Sequence, residues 1–335
     1  MQKKVKAVAL VSSGLDSMLA VKIIKNQGID VYGLSLTFRF DSVRHRKRAN
    51  KINELEKELG IPVRLIDKSE KFLEIVKYPK HGYGSEMNPC IDCRIQMLQI
   101  AEEYMKETGA DFIVTGEVVG QRPMSQQKPT IYHIDKVTGL RGLIVRPLSA
   151  KLLPETIPEQ KGWINSEELF DFHGRSRKDQ LELAKKFGLK GFEPPAGGCS
   201  LTTPDFSRRL SELFSNREKE NIRVQDLELL LYGRHFWPYK HLNIVVGRDE
   251  NDNIALESLK IKGALAFMPA DDISGPFAIA VGVKNNDDIK TAASLVARYT
   301  NRYKGKSLRV EFFGLENGII EVEPADEKNV KAWRI

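Results

Sequence analysis

The feature that most limits what this chain can fold into stands at its start. Val5 to Val11 is a short, unbroken apolar run, Ser12-Ser13-Gly14 is a tight polar turn, and helical spacing follows at once to about Gln27. An apolar run without polar alternation reads as a strand covered on both faces, which belongs in a parallel sheet sandwiched by helices. The pattern then recurs. Val31 to Phe38 reads as a second strand, Arg44 to Leu59 has helical spacing, and Val63 to Ile66 is a third strand. A helix from about Ile91 to Thr108 leads into a buried strand at Asp111 to Thr115. This alternation predicts an α/β, doubly wound parallel sheet, with ligands bound at the carboxyl ends of its strands.

Further on, Thr130 to Pro147 is strand-like around Thr138-Gly139 and predicts a hairpin, while Ser176 to Phe187 predicts a helix stopped by Gly188. Glu193-Pro-Pro-Ala-Gly-Gly-Cys199 predicts a rigid loop carrying a thiol. From about Thr203 the pattern changes. A charged helical stretch to Asn221 precedes short strands at His241 to Val246, Ala264 to Met268 and Phe277 to Val283, then a helix near Asp287 to Thr300 and a final strand pair. A length of 335 residues suits two cores, so the expected domains are 1–203 and a smaller α+β domain at 204–335. The formal net charge of +7 favours a polyanionic partner. The first residues lack the long apolar region of a signal peptide and no stretch is apolar enough to span a bilayer, so a cytoplasmic protein is expected. In that compartment three cysteines are a poor disulfide framework.

Ser12-Ser13-Gly14-Leu15-Asp16-Ser17 lies where turn amides and a helix N-terminus converge on an anion. Glycine allows close approach and the serines add hydroxyl donors; a plainly capped turn is the competing reading. Asp16 suits a cation better than bare phosphate, so it is expected to hold Mg²⁺ or to orient the loop. The segment resembles the SGGxDS loop of the PP-loop ATP pyrophosphatases, with Ser13 where that pattern has its first glycine. The resemblance implies an adenine nucleotide alpha hydrolase-like fold, ATP as substrate, and Leu36 against the adenine at the end of the second strand. Gly116, at the end of a central strand, is expected to let the nucleotide approach. Gly305-Lys306-Ser307 ends like another phosphate motif but lacks its earlier glycine, since Thr300 stands there.

Cys90 and Cys93 open a helix, and Cys199 lies in the proline-glycine loop. Such a pair at a helix N-terminus suits reactive thiolates or a metal, and a third cysteine gives three ligands with one position open. Buried cysteines that merely pack are the alternative. Cys93 and Cys199 align with the two cysteines of the tRNA 2-thiouridine synthetases, and Gly109-Ala-Asp-Phe-Ile-Val-Thr-Gly-Glu117 is similar to their GADxxxTGH strand end. Cys90 goes beyond that pattern and resembles related thiolases, including those making 4-thiouridine-type products, in which three cysteines hold a [4Fe–4S] cluster. The resemblance implies a tRNA sulfurtransferase in which Asp16, Cys93 and Cys199 are catalytic. A cluster on Cys90, Cys93 and Cys199 is the first expectation for the sulfur carrier and a cysteine persulfide the alternative, with a sulfide or persulfide donor as partner and zinc third.

Other residues carry two readings each. Arg122 in the loop after the fourth strand could meet phosphate or be an ordinary loop residue, and Arg44 to Arg48 could dock a tRNA backbone or be a solvated helix face. His133 and His173 are expected to be structural. Tyr232-Gly-Arg-His-Phe-Trp-Pro-Tyr239 interleaves aromatic and basic residues, as a single-stranded RNA contact would, or builds a small core with a basic rim. This last third resembles the NFACT-type RNA-binding module. A PP-loop amidotransferase or ligase for a small molecule, and a catalytically silent RNA binder, are the functions that compete with tRNA thiolation.

Overall fold

A computed structural model of the chain describes residues 4–41, 51–192, 198–300 and 306–335. Its contacts divide the chain into two units, 1–199 and 200–335. In the first, β1 (Lys6–Leu10), β2 (Asp30–Thr37), β3 (Val63–Asp67), β4 (Phe112–Thr115) and β5 (Ile144–Val145) form one sheet in the order β3-β2-β1-β4-β5. All four pairings are parallel. Between and after the strands lie α1 (Leu15–Asn26), α2 (Ile52–Leu59), α3 (Ser69–Lys77), α4 (Cys90–Thr108), α5 (Lys128–Val137), α6 (Ile157–Gln160) and α7 (Lys178–Lys186).

The unbroken apolar run of β1 has a simple cause. Ala7 and Ala9 face a core with Leu15 and Leu19 of α1 and Leu183 of α7. Val8 and Leu10 face the opposite core, with Leu98 of α4 and Ile134 of α5. Alternate residues therefore point to different cores, both dry, and each large side chain so buried contributes roughly 1.5–3 kcal/mol. Strand order reverses beside β1, which has β2 on one side and β4 on the other, and a crevice opens above their carboxyl ends.

The expected hairpin over Thr130 to Pro147 is a helix instead. Pro129 sits in the first turn of α5, where its missing N–H costs nothing, and Ile131, Ile134 and Asp135 are buried along one face. Tyr132 and Val137 point outward, 44% and 47% exposed. One-sided burial against α4 outweighs the strand preference of these β-branched residues. Only Ile144 and Val145 join the sheet, beside β4. Of the helical stretch from Arg44 to Leu59, the described part is α2; Arg44 to Arg48 lies outside the described residues, as does 193–197 of the proline-glycine loop. α3 was not anticipated.

The second unit holds α8 (Pro204–Asn216), α9 (Val224–Leu229), α10 (Glu250–Ser258), α11 (Asn286–Tyr299) and α12 (Glu327–Trp333). Its strands are β6 (Arg234–Tyr239), β7 (Leu242–Val246), β8 (Ala264–Pro269), β9 (Ala278–Val281), β10 (Leu308–Gly314) and β11 (Gly318–Val322). They form an antiparallel sheet in the order β11-β10-β8-β9-β7-β6, packed against α11. No described helix is long and apolar enough to cross a membrane.

Candidate active site

The turn between β1 and α1 is braced by its own hydroxyls. Ser17 Oγ lies 2.9 Å from the carbonyl oxygens of Ser12 and Gly14 and accepts the Ser12 amide at 3.0 Å, while Ser12 Oγ accepts the Gly14 amide at 3.2 Å. Gly14 is the residue before α1 and no side chain caps the helix, so its N-terminal end is open to an anion. Ser13 Oγ and Asp16 Oδ1 are buried without a hydrogen-bond partner. Gln121 donates to Asp16 Oδ2 at 3.0 Å, and the Arg177 guanidinium stands 4.0 Å from Oδ1. Burial pushes the Asp16 carboxyl above the usual range, against the pull of Gln121, Arg177 and Arg122. A cation supplied to Oδ1 would reverse that cost, which fits the expected Mg²⁺.

Gly116 lines the same site for a different reason from the one expected. A Cβ there would lie 2.5 Å from the Asp16 carbonyl carbon and the Ser17 amide nitrogen. The missing side chain makes room for the loop's backbone, so Gly116 fixes the loop against β4.

Above the strand ends lies a cavity of about 710 Å³. Leu10, Leu34, Leu36 and Met97 give it an apolar wall. Ser12, Gly14, Leu15, Asp16 and Ser17 line the phosphate end, and Arg122, Arg175 and Arg177 also face in. Arg177 Nε is buried with no hydrogen-bond partner, an open donor at an anion-binding end. Arg175 and Arg177 escaped the sequence reading because nothing in the run before α7 marks them; only the fold brings them to the loop.

Glu117 closes another wall. It is 2% exposed and receives Arg146 Nε at 2.9 Å and the Thr115 hydroxyl at 3.1 Å, with Arg94 Nε 3.1 Å from its other oxygen. Arg146 also forks onto Asp135, at 2.7 and 2.9 Å. Burial works against the Glu117 charge, but Arg94 and Arg146 outweigh it and hold the carboxyl below the usual range. Arg94 is the residue after Cys93, so this network ties the cysteine-bearing end of α4 to the end of β4.

The three cysteines differ in their surroundings, and none is in a disulfide. Asn88 Nδ2 lies 3.2 Å from Cys90 Sγ and 3.3 Å from Met124 Sδ, and burial pushes the Cys90 thiol up. Lys68 Nζ lies 3.1 Å from Cys93 Sγ. Cys199 is half-buried and follows Gly198, which lines the cavity. Among the described residues, no three His, Cys, Asp or Glu side chains are gathered closely enough to hold a metal ion. As placed, the three thiols do not gather around a single metal ion.

His133 Nε2 meets His81 Nε2 at 2.8 Å, and His81 Nδ1 meets Asp92 at 2.7 Å, bracing the approach to α4. His173 pairs by a backbone bridge with Val119. Neither His133 nor His173 lines the cavity. In the second unit Tyr232, His235 and Phe236 are buried, so half of the aromatic and basic residues of this run are core. Tyr239 is 48% exposed and stacks on His241 at 5.6 Å, and Arg234 lies 4.7 Å from the Tyr299 ring centroid.

With this geometry in view, residues 2–152 match the family model described as thiamine biosynthesis protein (ThiI). The N-terminal unit is ThiI-like. Residues 233–334 match the NFACT protein RNA binding domain, so two separate family patterns share the chain. A tRNA-specific 2-thiouridylase MnmA of Nitratiruptor sp. is 30% identical over 120 residues, 35% of this chain and 35% of that protein. The MnmA of Rhizobium etli is 27% identical over 205 residues, 56% of this chain and 47% of its own length. The chain thus spans less than half the length of these curated relatives. A solved 4-thiouridine synthetase–RNA complex with bound ATP shares 23% identity at a TM-score of 0.39, covering 68% of this chain and 52% of that one.

Proposed function

We propose that the chain is an ATP-consuming sulfurtransferase that adenylates a uridine of tRNA and replaces its carbonyl oxygen with sulfur. The observation that carries this reading is one cavity in which an open helix end, a buried unpaired Asp16 oxygen and the arginines meet the base of the cysteine-bearing helix. The ThiI-like pattern and the MnmA relatives support the chemistry, and the NFACT-like match supports RNA as the partner.

In the first step the uridine oxygen attacks the α-phosphate of ATP, a P–O bond forms, and pyrophosphate leaves with the electron pair of the bond that breaks. The α1 amides, Arg175 and Arg177 would take up its charge, with Asp16 holding the Mg²⁺ that shields it. In the second step a sulfur nucleophile adds at the activated carbon, a C–S bond forms, the C–O bond breaks, and AMP departs. The oxygen alone is a poor leaving group; AMP is a good one. Cys93 or Cys199 would carry the incoming sulfur as a persulfide taken from a persulfide donor. Once the C–S bond has formed, the thiolate of the other cysteine attacks the carrier's sulfur and the S–S bond breaks to leave sulfur on the uridine. The cysteine disulfide that forms is reduced by a thiol, with no step routed through a cluster.

The test is pyrophosphate release from ATP with and without added tRNA, followed by digestion of that tRNA to nucleosides. Release that requires tRNA, with a new thionucleoside, is the expected result. Release without tRNA but with a small amine or acid substrate would assign a ligase instead, and no release under either condition would leave an RNA-binding protein. Iron content after anaerobic purification tests the sulfur route: activity in colourless, iron-free protein is expected.

A further inference from the structure

Lys68 belongs to no wall of the nucleotide cavity, yet it is 4% exposed. Burying an ammonium costs several kcal/mol unless it is compensated. Its Nζ lies 3.7 Å from the Phe72 ring centroid and 5.3 Å from that of Phe38, and the two rings lean on each other at 4.8 Å. Cation–π contact of this kind offsets part of the cost. Among the described residues no carboxylate is within ion-pair distance of Lys68; its hydrogen-bond partner is Cys93 Sγ, at 3.1 Å.

Local structure explains why the lysine points there. Lys68 sits between the last residue of β3 and the first turn of α3, with its amide held by the Thr37 carbonyl at 2.9 Å and its carbonyl accepting from Phe72 at 2.8 Å. Both rings and the backbone are thus fixed before the side chain is placed. Cys93 lies one turn into α4, where the helix end adds positive potential. Cys90, three residues earlier, has an amide group beside it and, among the described residues, no cation in hydrogen-bond reach.

We propose that Lys68 is the positioning residue of the sulfur step: it fixes the Cys93 sulfur and balances its negative charge, so Cys93 rather than Cys90 bears the transferred sulfur. This rests on the thiolation reading, which named Cys93 and Cys199 as the carriers and set Cys90 aside, and it gives Cys93 its positioning partner. Lys68 acts through Cys93 and has no part in adenylation.

The experiment uses the full chain in three forms: wild type, Lys68→Met, which keeps the length of the side chain without its charge, and Lys68→Arg, which keeps the charge. Cysteines are alkylated with iodoacetamide at neutral pH and each site is followed by peptide mass spectrometry. In the wild type Cys93 should react about tenfold faster than Cys90. Lys68→Met should remove that lead and Lys68→Arg should keep most of it. With ATP and tRNA, Lys68→Met should retain pyrophosphate release within about twofold and lose thionucleoside formation by tenfold or more.

An unchanged Cys93 rate in Lys68→Met overturns the proposal, as does a wild type in which Cys90 is the faster. Parallel loss of pyrophosphate release and sulfur transfer in a folded Lys68→Met also overturns it, since that result assigns Lys68 to the nucleotide step. Should Lys68→Met fail to fold by circular dichroism, Lys68→Gln takes its place under the same criteria. If the wild type releases no pyrophosphate with tRNA, the thiolation reading fails, while the alkylation rates still judge the Lys68–Cys93 pair.

Discussion

Three helices of the C-terminal unit close their own N-termini, whereas the two that carry the phosphate-loop and cysteine motifs of the N-terminal unit do not. In the C-terminal unit Asp249, Asn285 and Asp326 each accept the amide three residues on, at 2.9, 3.0 and 2.7 Å, so α10, α11 and α12 close themselves. In the N-terminal unit α1 follows Gly14 and α4 follows Pro89, and neither has a side-chain cap. A self-capped helix has met its own hydrogen-bond demand and serves the fold. An uncapped one at the crest of a parallel sheet leaves donors for something that is not protein.

The strongest way to break this comparison is to close α1 as the other helices are closed. Gly14 has an extended backbone, φ −80° and ψ 140°, which a side chain accepts, and the atom nearest an added Cβ would be Ser12 Oγ at 3.1 Å. Gly14→Asp should therefore fold with unchanged or slightly raised stability, yet lose ATP-dependent pyrophosphate release by about a hundredfold or more, because its carboxylate takes the anion's place. Retained release would mean that the open end is not the phosphate site.

A smaller effect tests the unsatisfied polar atoms, which occur in both units with different meanings. Ser13 Oγ, Asp16 Oδ1 and Arg177 Nε belong to the turn after β1 and the arginine beside it, whereas His235 Nδ1 belongs to a core strand. Burial pushes the His235 pKa down to about 3, so the folded ring stays neutral where the unfolded ring, near 6.5, takes a proton. The unfolded state then binds more protons between these values, and stability is full above about pH 6.5 and falls as pH drops towards 3. Urea titration followed by fluorescence from Trp237, on the same strand, should show a loss of a few kcal/mol over that window, and His235→Phe should reduce this dependence. An equally steep dependence in His235→Phe would assign the acid sensitivity elsewhere.

The smallest effect is on the closed caps. Asn285→Ala should cost about 1 kcal/mol, visible as a lower thermal midpoint, and leave tRNA-dependent pyrophosphate release unchanged. A large loss of release would show that α11 serves more than the fold.

Much of the N-terminal unit was legible because its signals are local. The apolar run of β1 is unbroken since Ala7 and Val8 face different cores, and the Ser-Gly-Asp-Ser turn lies where a strand must give way to a helix. The hairpin expected over Thr130 to Pro147 was misread for a physical reason: β-branched residues favour strands only until one-sided packing, here Ile131 and Ile134 against α4, overrules them. The aromatic run at Tyr232 to Tyr239 carried no sign of which rings turn inward. Burial of Phe236 and exposure of Tyr239 follow from the sheet alone.

By itself the sequence determined the parallel strands of the first sheet, the Ser-Gly-Asp-Ser turn between β1 and α1 and the presence of three thiols with distinct neighbours in the chain. Only the tertiary structure decided that Arg175 and Arg177 face that loop, that Gly116 makes room for backbone, and that Lys68 meets Cys93. The reason is one of range. Hydrophobic period and turn chemistry act over a few residues and leave their mark in the chain, whereas a charge seeking its partner across 25 residues, as from Lys68 to Cys93, is satisfied only once α3 and the start of α4 have packed.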